Sequence, residues 1–221
     1  MATRPVHFFW LIDGSGSMTI DGKIGQLNYA IRENIAPMRS VAFENPAASL
    51  FVRTISFSTG ARWHHPKATP VEDFEWTDVT AEGVTDLGDA LTLVAEQLRM
   101  PPMPERALPP VLALVSDGQP TDDWEAGLRS IEATDWGPKA VRVAIAIGRD
   151  ANLDVLATFT RNPELVFKVG NPEALARAIR WASTTAVRSA SESRPLEGAT
   201  LARGPSSSEL VTMADENEEP W

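Results

Sequence analysis

The sequence predicts an α/β fold in which a mostly parallel sheet lies between two layers of helices. Residues 6–12 are apolar at nearly every position, as in a parallel strand that is covered on both faces. Strand-like apolar runs then alternate with segments whose apolar residues recur every three or four positions. This alternation is typical of a doubly wound, three-layer sheet whose parallel strands are joined by right-handed crossovers.

The first half of the chain supplies a central strand, a helix and two further extended segments. After the strand at 6–12, an apolar stripe predicts a helix over 23–38, formed by Ile24, Leu27, Ile31, Ile35 and Met38. Residues 49–57 are β-branched and aromatic and fit a second strand. Residues 60–73 contain two prolines, so we expect an antiparallel edge strand or an irregular loop there.

The second half continues the alternation without an internal repeat. A helical stripe over 85–99 ends at a cluster of prolines, and the apolar segment 111–115 follows as a short buried strand. The remaining elements are expected as helices at 122–133, 152–159 and 173–187 and as strands at 141–147 and 165–169. One domain over residues 1–188 and an acidic, flexible tail over residues 189–221 are therefore predicted.

Composition excludes several classes of function. The formal net charge of −10 disfavours nucleic acid and anionic membranes as partners, because both require a cationic surface. The tail alone carries seven acidic and two basic residues, which is half of that charge. The absence of cysteine rules out disulfides and thiolate metal sites. No apolar run approaches the roughly 20 residues of a membrane span, so a cytoplasmic protein is expected.

Oxygen-bearing side chains recur at the ends of predicted strands. The run Asp13-Gly14-Ser15-Gly16-Ser17 follows the first strand, Thr85 opens a helical segment, and Asp117 follows the strand at 111–115. Because ligands bind at the carboxyl ends of strands in such sheets, these groups should converge on one rim. Each also has an ordinary explanation when taken alone: Asp13, Ser15 and Asp117 as turn residues, and Thr85 as a helix N-cap.

Together these five residues form a set that suits a divalent cation. Mg²⁺ takes about six oxygen ligands, and Mn²⁺ shares that preference. Two carboxylates (Asp13, Asp117) and three hydroxyls (Ser15, Ser17, Thr85) supply at most five oxygens. The open position can take water or the carboxylate of another protein, which a site holding only two negative charges would still attract. The cation is thus predicted to serve binding, not catalysis.

The same three segments resemble the metal-ion-dependent adhesion site, or MIDAS, of von Willebrand factor A (VWA) domains. The Asp-x-Ser-x-Ser run, Thr85 and Asp117 match that pattern in order, over about residues 4–188. The resemblance implies direct metal contacts from Ser15 and Ser17 and a partner that offers a Glu or Asp. The run from Ser116 to Trp124 is similar to TerY-like proteins of tellurium-resistance and stress gene clusters, which implies a kinase or phosphatase partner encoded nearby.

Two other functions stay open at this point. An aspartate beside Mg²⁺ at a strand end could attack phosphate, so a Mg²⁺-dependent phosphohydrolase that uses Asp13 is the alternative. The haloacid-dehalogenase pattern, however, has a second aspartate where this chain has Ser15. The tail could instead be the main interaction element, since it combines acidic residues with scattered apolar ones.

Three smaller features carry interpretations of their own. His64 and His65 are adjacent, so on a strand they would point to opposite sides and could not share a metal. Asp122 and Glu125 have the spacing of a capping box, with partner contact as the alternative. Tryptophans in or beside predicted loops could anchor a partner or be partly buried in the core: Trp63, Trp76, Trp124 and Trp136.

Overall fold

The computed structural model describes residues 3–191, which hold six strands and five α-helices. The strands are β1 (Arg4–Asp13), β2 (Ala48–Ser58), β3 (Gly60–Pro70), β4 (Val111–Ser116), β5 (Val141–Ile147) and β6 (Val166–Val169). The helices are α1 (Lys23–Glu44), α2 (Leu87–Gln97), α3 (Trp124–Glu132), α4 (Leu153–Thr160) and α5 (Pro172–Ser191). Nearly all of the predicted acidic tail lies outside the described residues.

The strands form one sheet in the order β3-β2-β1-β4-β5-β6. All neighbouring pairs are parallel except β2 and β3, so β3 is an antiparallel edge strand. The predicted fold class is confirmed. The chain winds outward in one direction from β1 to β2 and in the other from β4 to β6, which makes the carboxyl ends of β1 and β4 a topological switch point.

Alternate residues of β1 face two separate cores. Phe8, Trp10 and Ile12 pack with the buried stripes of α1 and α5. Phe9 and Leu11 pack on the other face with α2 and α4. Because both faces are covered, the strand is apolar throughout, as a central parallel strand must be. No helix in the described part of the chain combines the length and apolarity needed to cross a membrane.

The end of α1 and the start of α2 differ from the sequence prediction. Helix α1 continues through Pro37 to Glu44, although an interior proline costs about 3 kcal/mol. Burial of Met38 and Val41 beyond the proline, at about 1.5–3 kcal/mol each, offsets that cost. Helix α2 begins at Leu87 and not at Thr85, because Gly83 has a φ of +76° and the segment up to Asp86 runs as a loop.

The prediction that His64 and His65 point to opposite sides is wrong. The pairing of β2 with β3 shifts register between Thr54 and Ile55, so β3 carries an extra residue there. Such a bulge breaks the alternation of side chains. Both imidazoles reach Thr77, whose Oγ1 lies 3.0 Å from each Nε2 atom. Among the loop tryptophans, Trp76 and Trp136 are buried and Trp63 and Trp124 are half-buried, which favours a core role.

A half-buried histidine makes the stability of the fold depend on pH. His7 stacks on Phe9 and Phe51, and burial together with the charge of Arg53 lowers its pKa from 6.5 to about 4. Its Nε2 has no hydrogen-bond partner in the part of the chain that the structure describes. The unfolded chain therefore binds more protons than the folded one between about pH 4 and 6.5, and the free energy of unfolding falls as the pH drops through that range.

We expect His7→Phe, which keeps a ring but cannot titrate, to reduce that loss by about 1–2 kcal/mol between pH 7 and 4. This change is smaller than the free energy that corresponds to the whole pKa shift, because His7 is only partly buried. Urea unfolding at several pH values measures the effect. Part of the slope will persist through His65, whose pKa burial and His64 also lower to about 4. Equal slopes for the variant and the wild type would contradict the prediction.

Candidate metal centre

The predicted site lies where β1 and β4 end side by side. Asp13 is the last residue of β1, and Asp117 follows Ser116 at the end of β4. The pairing of Ile12 with Val115 brings these ends together. Gly14 then turns the chain, its N–H donating to the carbonyl of Phe57 at 2.8 Å. A Cβ on Gly14 would lie 2.9 Å from the carbonyl oxygen of Thr80, so only glycine fits this turn.

Four of the five predicted residues form one chain of hydrogen bonds. Asp13 Oδ1 accepts from the backbone N–H of Ser15 at 2.8 Å. The hydroxyl oxygens of Ser15 and Ser17 are 3.0 Å apart, and Ser17 donates to Asp117 Oδ1 at 2.7 Å. The convergence expected from the sequence is therefore present. Asp13 therefore both shapes the turn, through its bond to Ser15, and belongs to the same hydrogen-bonded cluster as Asp117.

Thr85 completes the group but is not a helix cap. A Cβ on Gly118 would lie 3.5 Å from Thr85 Oγ1 and 3.7 Å from Ser17 Oγ, which places both hydroxyls around the same glycine. The residue that precedes helix α2 is Asp86, and the N–H groups of Gly88 and Asp89 donate to Asp122. The alternative of Thr85 as an N-cap is wrong, and its hydroxyl faces the cluster.

Two side chains that the sequence did not single out orient the carboxylates. Ser116 Oγ donates to Asp13 Oδ2 at 2.6 Å. Lys23 Nζ donates to Asp117 Oδ2 at 2.8 Å. Ser116 could have been found from the strand order, since β4 beside β1 puts its last residue next to Asp13. Lys23 gave no such signal, because its position depends on the path of the 3-10 segment Gly16–Gly22.

A second layer of hydrogen bonds ties the loops together. Thr121 Oγ1 accepts from the N–H of Thr85 at 3.1 Å and donates to Asp86 Oδ1 at 2.8 Å. Asp122 accepts from Gly88 and Asp89 with one oxygen each, both at 2.9 Å. The capping box predicted for Asp122 is wrong, because Asp123 caps α3 and Asp122 caps α2 instead. These cross-loop bonds join the loops that carry the oxygen cluster.

The electrostatics of the cluster favour a cation. Asp13 and Asp117 are buried, and one ammonium, that of Lys23, stands against the two carboxylates. Burial raises the pKa of Asp13 above its usual range, while hydrogen bonds from Ser116 and Ser15 act in the opposite direction. One buried negative charge is therefore uncompensated. Hard oxygen donors around such a charge fit Mg²⁺ or a similar divalent ion. Asp13, Ser15, Ser17, Thr85 and Asp117 are the residues that would hold it.

Comparison with solved structures identifies proteins that share this fold. No protein-family model matches the sequence, and no curated protein sequence matches it either. VWA2, an ArnB paralogue from Sulfolobus acidocaldarius, superposes with a TM-score of 0.60 and 19% identity, over 81% of this chain and 45% of that one. A von Willebrand factor type A protein from Catenulispora acidiphila gives 0.59 and 18%, over 84% and 43%. The fold is that of von Willebrand factor A domains.

A third VWA-like neighbour carries a metal. Proximal thread matrix protein 1 from the mussel byssus, solved with a zinc-occupied MIDAS motif, has a TM-score of 0.63 and 18% identity, over 84% of this chain and 46% of that one. The chain thus spans less than half the length of each of these three proteins. At such identities the likeness establishes the fold.

Removing the hydroxyl of Ser116 tests whether Asp13 needs an orienting partner. We expect Ser116→Ala to weaken Mn²⁺ binding about tenfold, because hydrogen-bond partners of metal ligands contribute 10- to 100-fold in affinity. Free Mn²⁺ measured by electron paramagnetic resonance gives the dissociation constant. Ser40→Ala is the matched control, since Ser40 is exposed and bonds only the carbonyl of Ala36 in its own helix. Equal affinities for both variants would show that Ser116 has no role at the site.

Proposed function

We propose that this protein is a metal-dependent protein-interaction module that captures a carboxylate of its partner. The observation that carries the proposal is the buried, hydrogen-bonded oxygen cluster with one uncompensated negative charge. A metal-occupied MIDAS motif on the same fold in the mussel matrix protein supports a divalent ion here. Mg²⁺ is the proposed ion, with Mn²⁺ as a substitute.

The bound ion would supply a Lewis-acidic position that accepts an oxygen from outside the chain. Five protein groups (Asp13, Ser15, Ser17, Thr85 and Asp117) leave at least one ligand position of an octahedral ion open. A Glu or Asp side chain of the partner is the proposed occupant of that position. Hydrogen bonds between the loops limit the reorganisation that would oppose binding.

The surface around the cluster offers additional contacts to a partner. Ile20 lies three residues after Ser17, and Val84 lies directly before Thr85. Their side chains are 56% and 45% exposed. A groove of about 590 Å³ runs between α3 and α4, with Trp124, Leu128 and Val155 among its lining residues. Both helices begin at the carboxyl edge of the sheet, so the groove opens beside the site. The groove is also lined by charged side chains, among them Glu125, Arg129 and Asp154, so a partner carboxylate at the metal would have both apolar and charged surface beside it.

We also propose a biological setting for this interaction. The run from Ser116 to Trp124 resembles TerY-like proteins, which points to a bacterial stress-response or tellurium-resistance system in the cytoplasm. A kinase or phosphatase encoded in the same gene cluster is the proposed partner, with this chain as adaptor.

The alternative, a phosphohydrolase with Asp13 as nucleophile, has less support in the geometry. Both carboxylate oxygens of Asp13 already accept hydrogen bonds, from Ser15 and from Ser116, and the residue is fully buried. To attack a phosphate, Asp13 would have to reach the substrate from this buried position. The histidines lie elsewhere, His7 between two phenylalanines and His64 and His65 against Thr77.

Thr85→Ala separates metal binding from folding. The Thr85 hydroxyl makes no hydrogen bond within the described residues, so its loss should leave the metal-free stability nearly unchanged. Saturating Mg²⁺, at 100 times its dissociation constant, should stabilise the wild type by about 2.7 kcal/mol, or roughly 5–10 °C in melting temperature. We expect the variant to lose most of that shift. Melting curves in Mg²⁺ and in EDTA measure it.

The matched control for this experiment is Thr19→Ala, because Thr19 is exposed in the first loop and bonds only the carbonyl of Gly16. Thr19→Ala should keep the full Mg²⁺ shift. If Mg²⁺ and Mn²⁺ leave the wild-type melting temperature unchanged, or if Thr85→Ala responds like the wild type, the metal site is refuted.

Partner capture tests the function itself. The tagged protein, co-expressed with a kinase or phosphatase encoded beside its own gene, should retain that partner in Mg²⁺ and release it in EDTA. Thr85→Ala should weaken retention about 30-fold or more, because loss of the metal leaves the partner's carboxylate without its opposite charge, at a cost of roughly 2–5 kcal/mol. Identical capture in Mg²⁺, in EDTA and by the variant would contradict a metal-dependent interaction.

A further inference from the structure

The ammonium group of Lys23 is buried against one of the two acidic residues of the site. Its Nζ lies 2.8 Å from Asp117 Oδ2, and the two side chains are 8% and 0% exposed. Lys23 is the first residue of α1 and follows Gly22, whose φ of +69° turns the chain inward. A Cβ on Gly148 would lie 3.5 Å from Nζ, so the end of β5 also leaves room for the ammonium.

This contact divides the two oxygens of Asp117 between two tasks. Oδ1 accepts from Ser17 and faces the oxygen cluster, whereas Oδ2 accepts from Lys23 and faces away from it. Asp13 is held differently, because both of its partners, the N–H of Ser15 and the hydroxyl of Ser116, are neutral donors. Among residues 3–191, therefore, only Asp117 of these two carboxylates is paired with a full positive charge.

The pairing changes the net charge that the site presents. Two carboxylates and one ammonium sum to one negative charge, so a bound divalent ion leaves the buried group with one net positive charge. Without Lys23 the same group would be neutral once loaded. Charges interact strongly where water is excluded, so one unit of buried charge alters both metal binding and the capture of an anion.

We infer that Lys23 is a charge-setting residue of the proposed metal site, an inference that rests on the function proposed above. It weakens metal binding by like-charge repulsion and strengthens the attraction of the loaded site for a carboxylate. Metal affinity is thus given up for affinity toward the acidic partner.

A purely structural role for Lys23 predicts a different pattern. If the ammonium only stabilised buried Asp117, its removal would loosen the site and weaken metal binding and carboxylate binding together. A charge-setting role makes the two affinities move in opposite directions. Measurement of both in the same variant separates the two roles.

The experiment compares the wild type with Lys23→Met, which keeps the length of the side chain, and with Lys23→Arg, which keeps the charge. Mn²⁺ binding is measured by electron paramagnetic resonance. Acetate binding to the Mn²⁺-saturated protein is measured by water proton relaxation, which reports displacement of metal-bound water. We expect Lys23→Met to bind Mn²⁺ about tenfold more tightly and acetate about tenfold more weakly, and Lys23→Arg to stay within threefold of the wild type in both.

Each outcome decides something different. Loss of both affinities in Lys23→Met, or no change in either, overturns the inference while the metal site stands. A wild-type protein that binds no Mn²⁺ overturns the proposed function instead. If Lys23→Met does not fold, Lys23→Gln offers Asp117 a neutral donor and gives the same two comparisons, with the same directions expected.

Discussion

The site depends on one constraint: two carboxylates are buried side by side at the ends of neighbouring parallel strands. Asp13 and Asp117 lie at the switch point between β1 and β4, at the carboxyl ends of these strands. Burying two like charges is costly unless each is paired or hydrogen-bonded. Ser15, Ser17, Ser116 and Lys23 satisfy them only in part. A bound cation would neutralise the negative charge that remains.

The rest of the fold fixes the positions of those two residues. The strand that ends at Asp13 has a core on each face. On one face its own Trp10 and Phe8 pack edge to face, with ring centroids 4.8 Å apart. Close packing of this kind resists displacement of the strand end. The loops are joined to one another by Thr121 and Asp122. Little of the free energy of binding is then needed to order the site, so more of it contributes to affinity for the partner.

The sequence was sufficient where periodicity and strand order decide the outcome. The sheet class, its antiparallel edge and the convergence of the five oxygen-bearing residues follow from apolar patterns and from the rule that parallel strands end on one rim. It was insufficient where the local path of the backbone decides. The bulge in β3 brings His64 and His65 together, and burial of Met38 and Val41 carries α1 past Pro37. The pairing of Lys23 with Asp117 depends on positive φ angles at Asp21 and Gly22, which no residue pattern announced.

The most direct test of the metal site is a crystal grown with Mn²⁺, in which anomalous scattering locates the ion. We expect one strong anomalous peak in contact with the hydroxyls of Ser15, Ser17 and Thr85. A further ligand that this domain does not supply, either water or an acidic side chain from a neighbouring molecule, should complete its coordination. An anomalous peak elsewhere, or none at a millimolar concentration of the ion, would contradict the account.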